Sequence, residues 1–315
     1  MKLKQIIVAL AALCSMAASA QTSINLANYQ VTGNYALDAL GKMGLEASAV
    51  TYARDRGTLF FVGDEGLGVV EISKTGQTLG SMAFDWTGTA SSNNDAEGLT
   101  YLGNGQLVVV DERPQIAYQF AFSNGGSVML NNQPKVAIMG STTSVKNVGT
   151  EGISYDPLTG KFYSVKQDDP AQLRESTLSF AVGGGTASTT ILNSGASSLF
   201  GLNSLSDIQT LSPVDALTGT AAADNLLILS LDSKKLVELD RATGTVLSSF
   251  DLSDVTTQAI EGVTVDEKGT IYLVAEDSGT TNSRLFVLTA VPEPETYAML
   301  LAGLGLVGFA ARRRK

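Results

Sequence analysis

The sequence predicts an all-β protein, a five-bladed β-propeller whose ring is closed by an N-terminal strand. One sign is a recurring Glu-Gly phrase, seen as Asp95-Ala96-Glu97-Gly98-Leu99-Thr100-Tyr101, as Thr150-Glu151-Gly152-Ile153-Ser154-Tyr155 and as Ile260-Glu261-Gly262-Val263-Thr264-Val265. A second is that each phrase leads into a turn rich in Gly, Asn and Asp, such as Asn104-Gly105 or Thr159-Gly160, and then into another short run of β-branched and aliphatic residues. The third is the unit length, about 50 residues holding four short strands without helical periodicity, which is the arrangement of a propeller blade.

In chain order, residues 1–20 read as a signal peptide. Lys2 and Lys4 precede an apolar stretch, and Ala18-Ser19-Ala20 supplies the small residues a signal peptidase reads, with cleavage expected before Gln21. Cys14 follows Leu13 rather than a small residue, which argues against a lipoprotein, and the mature chain then has no cysteine. Residues 24–32 precede the first repeat and are expected to complete a last blade that runs out one strand short. Blades are expected to begin near residues 47, 95, 149, 206 and 259, so that the propeller domain covers residues 21–290. Degenerate copies of the phrase stand at Ser48-Ala49-Val50-Thr51-Tyr52 and at Asp207-Ile208-Gln209-Thr210, where Gln209 is taken as the counterpart of Glu97.

Residues 291–315 contain Pro292-Glu293-Pro294, an apolar run over 297–311 and the cluster Arg312-Arg313-Arg314-Lys315. As a helix that run rises only about 22 Å, a marginal span followed by a basic stop. The order of these three parts resembles the PEP-CTERM sorting signal. The resemblance implies processing by an exosortase-type enzyme, export through the cell envelope of a Gram-negative bacterium to its outer surface or matrix, and membrane contact only through residues 297–311 before processing.

Composition removes several classes of activity. The chain has 315 residues and no histidine, which excludes Ser-His-Asp and Cys-His catalysis and histidine-bound zinc. Setting aside Lys2, Lys4, Arg312, Arg313, Arg314 and Lys315 with Glu293 and Glu295 leaves 15 basic and 29 acidic residues, a net −14. Such a balance argues against a nucleic-acid partner, whose phosphates need clustered Lys and Arg.

The phrases quoted above, with Asp111-Glu112-Arg113, Leu227-Ile228-Leu229-Ser230 and Glu276, resemble the SdiA-regulated, or YjiK-like, family over roughly residues 25–289. The resemblance implies a five-bladed propeller distantly related to NHL repeats, with a calcium site and no established activity. In a propeller the innermost strands line the central channel, so Glu97, Glu151 and Glu261 are expected to converge on one mouth, with Asp207 reaching the same region. Converging carboxylates repel unless a counter-charge intervenes, and calcium, which accepts six to eight oxygen ligands, suits them better than zinc. The other reading makes each glutamate an acceptor for backbone amides of the next blade, holding the ring together without metal. Asp111, Glu112 and Glu276 are candidates for an outer layer around the ion, and Lys166-Gln167 replaces the acid expected in the third blade.

Two functions stay open. The preferred one is an exported, noncatalytic calcium-binding module that recognises a ligand such as extracellular polysaccharide or a surface protein. The other is a calcium-dependent hydrolase of phytase-like or lactonase-like type, in which Arg113 would hold an anionic group. Trp86 is expected either to pack or to serve as a sugar platform.

Overall fold

The structure is a computed structural model that describes residues 21–291 except 143 and 197. The expected signal peptide and the apolar run over 297–311 lie outside the described residues. Among the described residues helix is confined to short 3-10 turns, and no helix is long and apolar enough to cross a membrane.

After a turn at Leu26–Asn28, the chain lays down β1 (Tyr29–Ala36) and then builds blade 1 from β2 (Ala47–Ala53), β3 (Thr58–Gly63), β4 (Gly68–Ile72) and β5 (Thr78–Asp85). Blade 2 contains β6 (Ala96–Gly103), β7 (Gln106–Asp111) and β8 (Ile116–Ala121). Before its outer strand forms, the chain crosses back so that β9 (Ser127–Met129) runs parallel to β5 in blade 1; β10 (Lys135–Ala137) then completes blade 2. Blade 3 is β11 (Thr150–Asp156), β12 (Lys161–Lys166), β13 (Ala171–Ser179) and β14 (Thr186–Gly195). Blade 4 is β15 (Asp207–Thr210), β16 (Leu226–Ser230), β17 (Lys235–Asp240) and β18 (Thr245–Asp251). Blade 5 takes β19 (Ile260–Val265), β20 (Ile271–Ala275) and β21 (Arg284–Ala290), and β1 pairs antiparallel with β21 to supply its outer strand. The closing strand therefore lies slightly later than the expected 24–32, because residues 26–28 turn before the chain extends.

Glu238 holds the segment before β1 in place. Its fully buried carboxylate accepts hydrogen bonds from Ser23 Oγ at 2.5 Å, Ile24 N at 2.9 Å, and Asn225 Nδ2 and Ser248 Oγ at 2.8 Å each. Four donors in place of a cation compensate the loss of water around this charge.

Between the blades lie apolar layers. One contains Phe60, Tyr118 and Phe120 with Trp86, and another joins Leu227, Leu229 and Leu236 of blade 4 to Val263, Leu273 and Phe286 of blade 5. Full burial of such side chains is worth about 1.5–3 kcal/mol each relative to exposure, which lets a cysteine-free body of this size hold together.

The five inner strands β2, β6, β11, β15 and β19 contact one another around the central axis. The repeated glycine makes this approach possible. A Cβ on Gly98 would stand 2.9 Å from the Glu151 carbonyl oxygen, one on Gly152 2.6 Å from Asp207 Cα, and one on Gly262 2.9 Å from Ala49 Cα. In each case backbone of the next blade is among the atoms in the way, joined at Gly152 by the Asp207 carboxylate and at Gly262 by the Val274 side chain. Three residues beyond each Glu or Ser, a belt of hydroxyls continues the link. Thr51 accepts the Tyr101 amide at 3.1 Å, Thr100 that of Tyr155 at 2.9 Å, Ser154 that of Thr210 at 3.1 Å and Thr264 that of Tyr52 at 3.0 Å.

Pairing within the blades corrects the alignment of the fourth repeat. Val62, Val110, Val165 and Val274 face Ala49, Gly98, Gly152 and Gly262, whereas the corresponding Leu229 faces Asp207. Ser206, not Gln209, therefore occupies the glutamate place, and Gln209 joins the hydroxyl belt, where its Oε1 accepts from Thr264 Oγ1 at 2.9 Å.

Candidate functional site at the acidic mouth

Antiparallel pairing brings the start of each inner strand beside the end of the second strand of the same blade. Ala96 faces Asp111, Thr150 faces Lys166 and Ile260 faces Ala275. The acids that open the inner strands thus share one mouth with those that lie just past the second strands: Asp64 after β3, Glu112 after β7 and Glu276 after β20. The register shifts within the first two residues of these inner strands, between Ala47 and Ala49, Ala96 and Gly98, Thr150 and Gly152, and Ile260 and Gly262. Ser48, Glu97, Glu151 and Glu261 are therefore the bulged residues, left out of the ladder. A bulge re-aims a side chain, which is why these positions and not their neighbours turn toward the axis.

The three repeat glutamates interact. Burial is the largest influence on each, and it pushes the Glu97 carboxyl up to about 8 and those of Glu151 and Glu261 well above the usual carboxylate range. Glu151 is raised further by the charges of Glu97, Glu112 and Glu261, and Glu261 by those of Glu97, Glu276 and Asp64. Around them the acids stand in pairs at hydrogen-bonding range: Glu112 with Glu151, Glu276 with Glu261, and Asp64 with Glu46. Burial and this pairing raise Asp64 to about 7. Two carboxylates at such range share a proton or require a cation, because both cannot ionise alone in a confined site.

Hydrogen bonds account for only part of this charge. The Ser48 hydroxyl donates to Glu97 Oε2, and the Gly149 amide donates to Glu112 Oε1 at 2.6 Å. Asp64 Oδ1 and Glu112 Oε2 are buried and receive no hydrogen bond from the protein. Positive charge nearby is scarce. Arg113 Nε binds Asp95 Oδ2 at 2.5 Å and stands 3.8 Å from Glu112 Oε2, and the Lys166 ammonium donates to the carbonyls of Asp168 and Asp169. Arg174, which is 2% exposed, reaches Gln172, Gln115 and Thr150 and no carboxylate.

The remaining expected residues divide. Asp207 lies at the glycine place, not the glutamate place: its Oδ1 accepts the Ile208 amide at 2.8 Å and its Oδ2 the Val263 amide at 2.7 Å. It joins blade 4 to blade 5, in the manner of the metal-free reading. Asp111 is fully buried behind the mouth, raised to about 7 chiefly by burial; Ser91 Oγ donates to its Oδ1 at 3.1 Å while Oδ2 has no partner. Besides Asp95, the Arg113 guanidinium engages Asn147 Oδ1 at 2.5 Å and, with the Asn93 amide turned to present its oxygen, Asn93 at 2.7 Å. Trp86 packs: it is 9% exposed, donates from Nε1 to the Gly66 carbonyl at 2.6 Å and meets Phe84 and Tyr118 edge to face. Glu46 and Asp64 carry no repeat phrase of their own in the sequence, although Asp64 comes directly after its strand as Glu112 and Glu276 come after theirs.

As a donor set the mouth offers carboxylate oxygens without nitrogen or sulfur, which suits a hard cation such as calcium. Among the described residues no group of three or more acids already stands at metal-ligand spacing.

The family described as SdiA-regulated matches residues 21–279, most of the chain. The chain belongs to the SdiA-regulated family. The PEP-CTERM protein-sorting motif matches residues 290–315, and it implies export to the Gram-negative cell envelope and exosortase processing at the C-terminus. Among solved structures, this SdiA-regulated protein is similar to the glutaminyl cyclase of Myxococcus xanthus, with a TM-score of 0.52 and 14% identity over 84% of this chain and 97% of that one. It is also similar to the WD40 β-propeller domain of Doa1, at a TM-score of 0.46 and 12% identity over 85% and 98%. At 14% identity the likeness to the cyclase is one of fold.

Proposed function

We propose that this exported propeller holds calcium at its acidic mouth and serves as a noncatalytic recognition module at the cell surface. The observation that carries the reading is the set of three facing acid pairs, Glu112 with Glu151, Glu276 with Glu261 and Asp64 with Glu46, around a channel mouth where Glu97 and Glu151 also repel each other. A divalent cation relieves that repulsion and occupies the orphaned oxygens of Asp64 and Glu112. Glu97, Glu151 and Glu261 are its expected holders, with Glu112, Glu276 and Asp64 supporting them. Asp207 is left out because both its oxygens already serve backbone amides. The commitment of Arg113 to Asp95, Asn93 and Asn147 favours recognition over the hydrolase reading, since its guanidinium is engaged by the protein itself.

Calorimetric titration of the chelator-stripped protein with calcium tests the site. A saturable calcium isotherm is expected, weakened at least tenfold by Glu151→Gln, a change that keeps the side chain's size and removes its charge. An isotherm unaltered by Glu151→Gln would remove the site. Calcium-stimulated turnover in a panel of phosphoesters and lactones would overturn the noncatalytic role while leaving the metal in place.

A further inference from the structure

At the opposite end of the channel from the acids, the far ends of the inner strands surround a cavity of about 680 Å³. That volume is within the roughly 300–1,000 Å³ range of small-molecule sites. Its floor is the hydroxyl belt. Thr51 and Thr100 line it, are 5% and 4% exposed, and each accepts a backbone amide from the next blade. A hydroxyl that accepts in this way still has its own proton to give. The floor therefore offers fixed donors to oxygen atoms of an occupant.

Its walls are aromatic. Tyr52, Tyr101 and Tyr155 come from three successive blades at equivalent places, and each is braced by its surroundings: Tyr101 stacks on Phe60 with centroids 5.9 Å apart, Tyr155 packs on Phe162 at 5.0 Å, and the Lys74 ammonium sits 4.5 Å from the Tyr52 centroid. At the rim, Asn104 contributes a planar amide, and Arg54 and Asp215 form an exposed ion pair at 2.7 Å. Among the described residues the only lining cation is thus neutralised by its partner, which disfavours phosphate or other anions. Braced rings for the apolar C–H faces of a ligand, hydroxyl donors below and planar polar groups at the rim suit a neutral polyhydroxylated molecule, whose vicinal hydroxyls pair with amide, carboxylate and guanidinium groups.

We infer that this cavity is a binding site for a neutral saccharide. The inference deepens the recognition role proposed above and rests on it, but it does not depend on the calcium site. It also divides the labour of the channel, with the facing carboxylates and the proposed metal at one mouth and the ligand at the other.

Titration calorimetry and saturation-transfer NMR on the full propeller, using neutral tetrasaccharides of glucose, mannose, galactose and xylose with polygalacturonate as the acidic control, test it. At least one neutral tetrasaccharide should bind with a dissociation constant below about 1 mM. Asn104→Gly, which tolerates the left-handed backbone at that position (φ 53°), should weaken binding about tenfold by removing the amide. Leu158→Arg, at a rim residue 67% exposed and so without consequence for folding, should also weaken it. Glu151→Gln and calcium removal should leave it unchanged. Absence of binding by all four tetrasaccharides, or preference for polygalacturonate, would overturn the inference. Binding abolished by Glu151→Gln but insensitive to Asn104→Gly and Leu158→Arg would overturn it too, while leaving the recognition role intact at the acidic mouth.

Discussion

Removing calcium and raising the pH should destabilise the propeller together, and the direction is set by the acids at the mouth. Burial raises Glu97 from 4.5 to about 8 in the folded chain, and Asp64 from 3.8 to about 7. A carboxyl whose folded pKa is raised binds its proton more tightly in the native state, so its contribution to stability is complete below the unfolded pKa and is lost as pH rises through the folded one. For Glu97 the loss between pH 5.5 and pH 8 is about 1.4 kcal/mol per unit, or about 3 kcal/mol, which solvent at the channel mouth reduces to about 2 kcal/mol. A body of this size moves by about 2–4 °C per kcal/mol, so calcium-free protein should melt roughly 4–8 °C lower at pH 8 than at pH 5.5. Calcium at a hundred times its dissociation constant adds about 2.7 kcal/mol, enough to erase the difference. Scanning calorimetry at the two pH values, with chelator and with calcium, gives the four melting temperatures. Equal melting of the calcium-free protein at both pH values would refute the argument, because it would mean that the mouth acids ionise without cost. A pH-dependent drop that calcium does not reverse would leave the electrostatics standing and remove the metal.

The contacts between blades lead to other outcomes. Gly152→Ala places a methyl 2.4 Å from Asp207 Oδ1 and 2.6 Å from Asp207 Cα, and should cost about 3 kcal/mol in urea unfolding, whereas Gly57→Ala, in open space, should cost only about 1 kcal/mol from its positive φ. Glu238→Ala removes the acceptor for Ser23, Ile24, Asn225 and Ser248. It should lower stability by about 3 kcal/mol and speed hydrogen exchange first in β1, the closing strand. Trp86→Phe should destabilise by about 2 kcal/mol, measured by the same unfolding, without changing saccharide affinity, because the ring packs in the apolar layer between blades 1 and 2, away from the cavity, and its Nε1 bond to Gly66 is lost.

Much of the ring was legible because a propeller repeats one local solution. Each Glu-Gly phrase marks the same bulge and the same close approach, and periodicity alone revealed the units that carry Glu97, Glu151 and Glu261. The fourth repeat was misaligned by three residues because Ser206 replaces the glutamate and Asp207 fills the glycine's place, and no local pattern distinguishes that from a phrase centred on Gln209. Its true place depends on which residue faces Leu229 across the sheet.

By itself, then, the sequence determined what is local and repeated: all-β blades, five of them, the acidic excess and the absence of histidine. Tertiary structure decided which acids face one another. Glu46 meets Asp64 at 18 residues' separation, Glu112 meets Glu151 at 39, and Glu238 receives a segment 214 residues earlier in the chain. Whether a carboxylate is soaked in water, capped by amides as Asp207 is, or set against another carboxylate depends on the closed ring, since a proton's or cation's hold on it is decided by the groups a few ångströms away in space. The cavity at the far mouth arises in the same way, from Tyr52, Tyr101 and Tyr155, which lie about 50 residues apart in the chain and meet only when the ring closes.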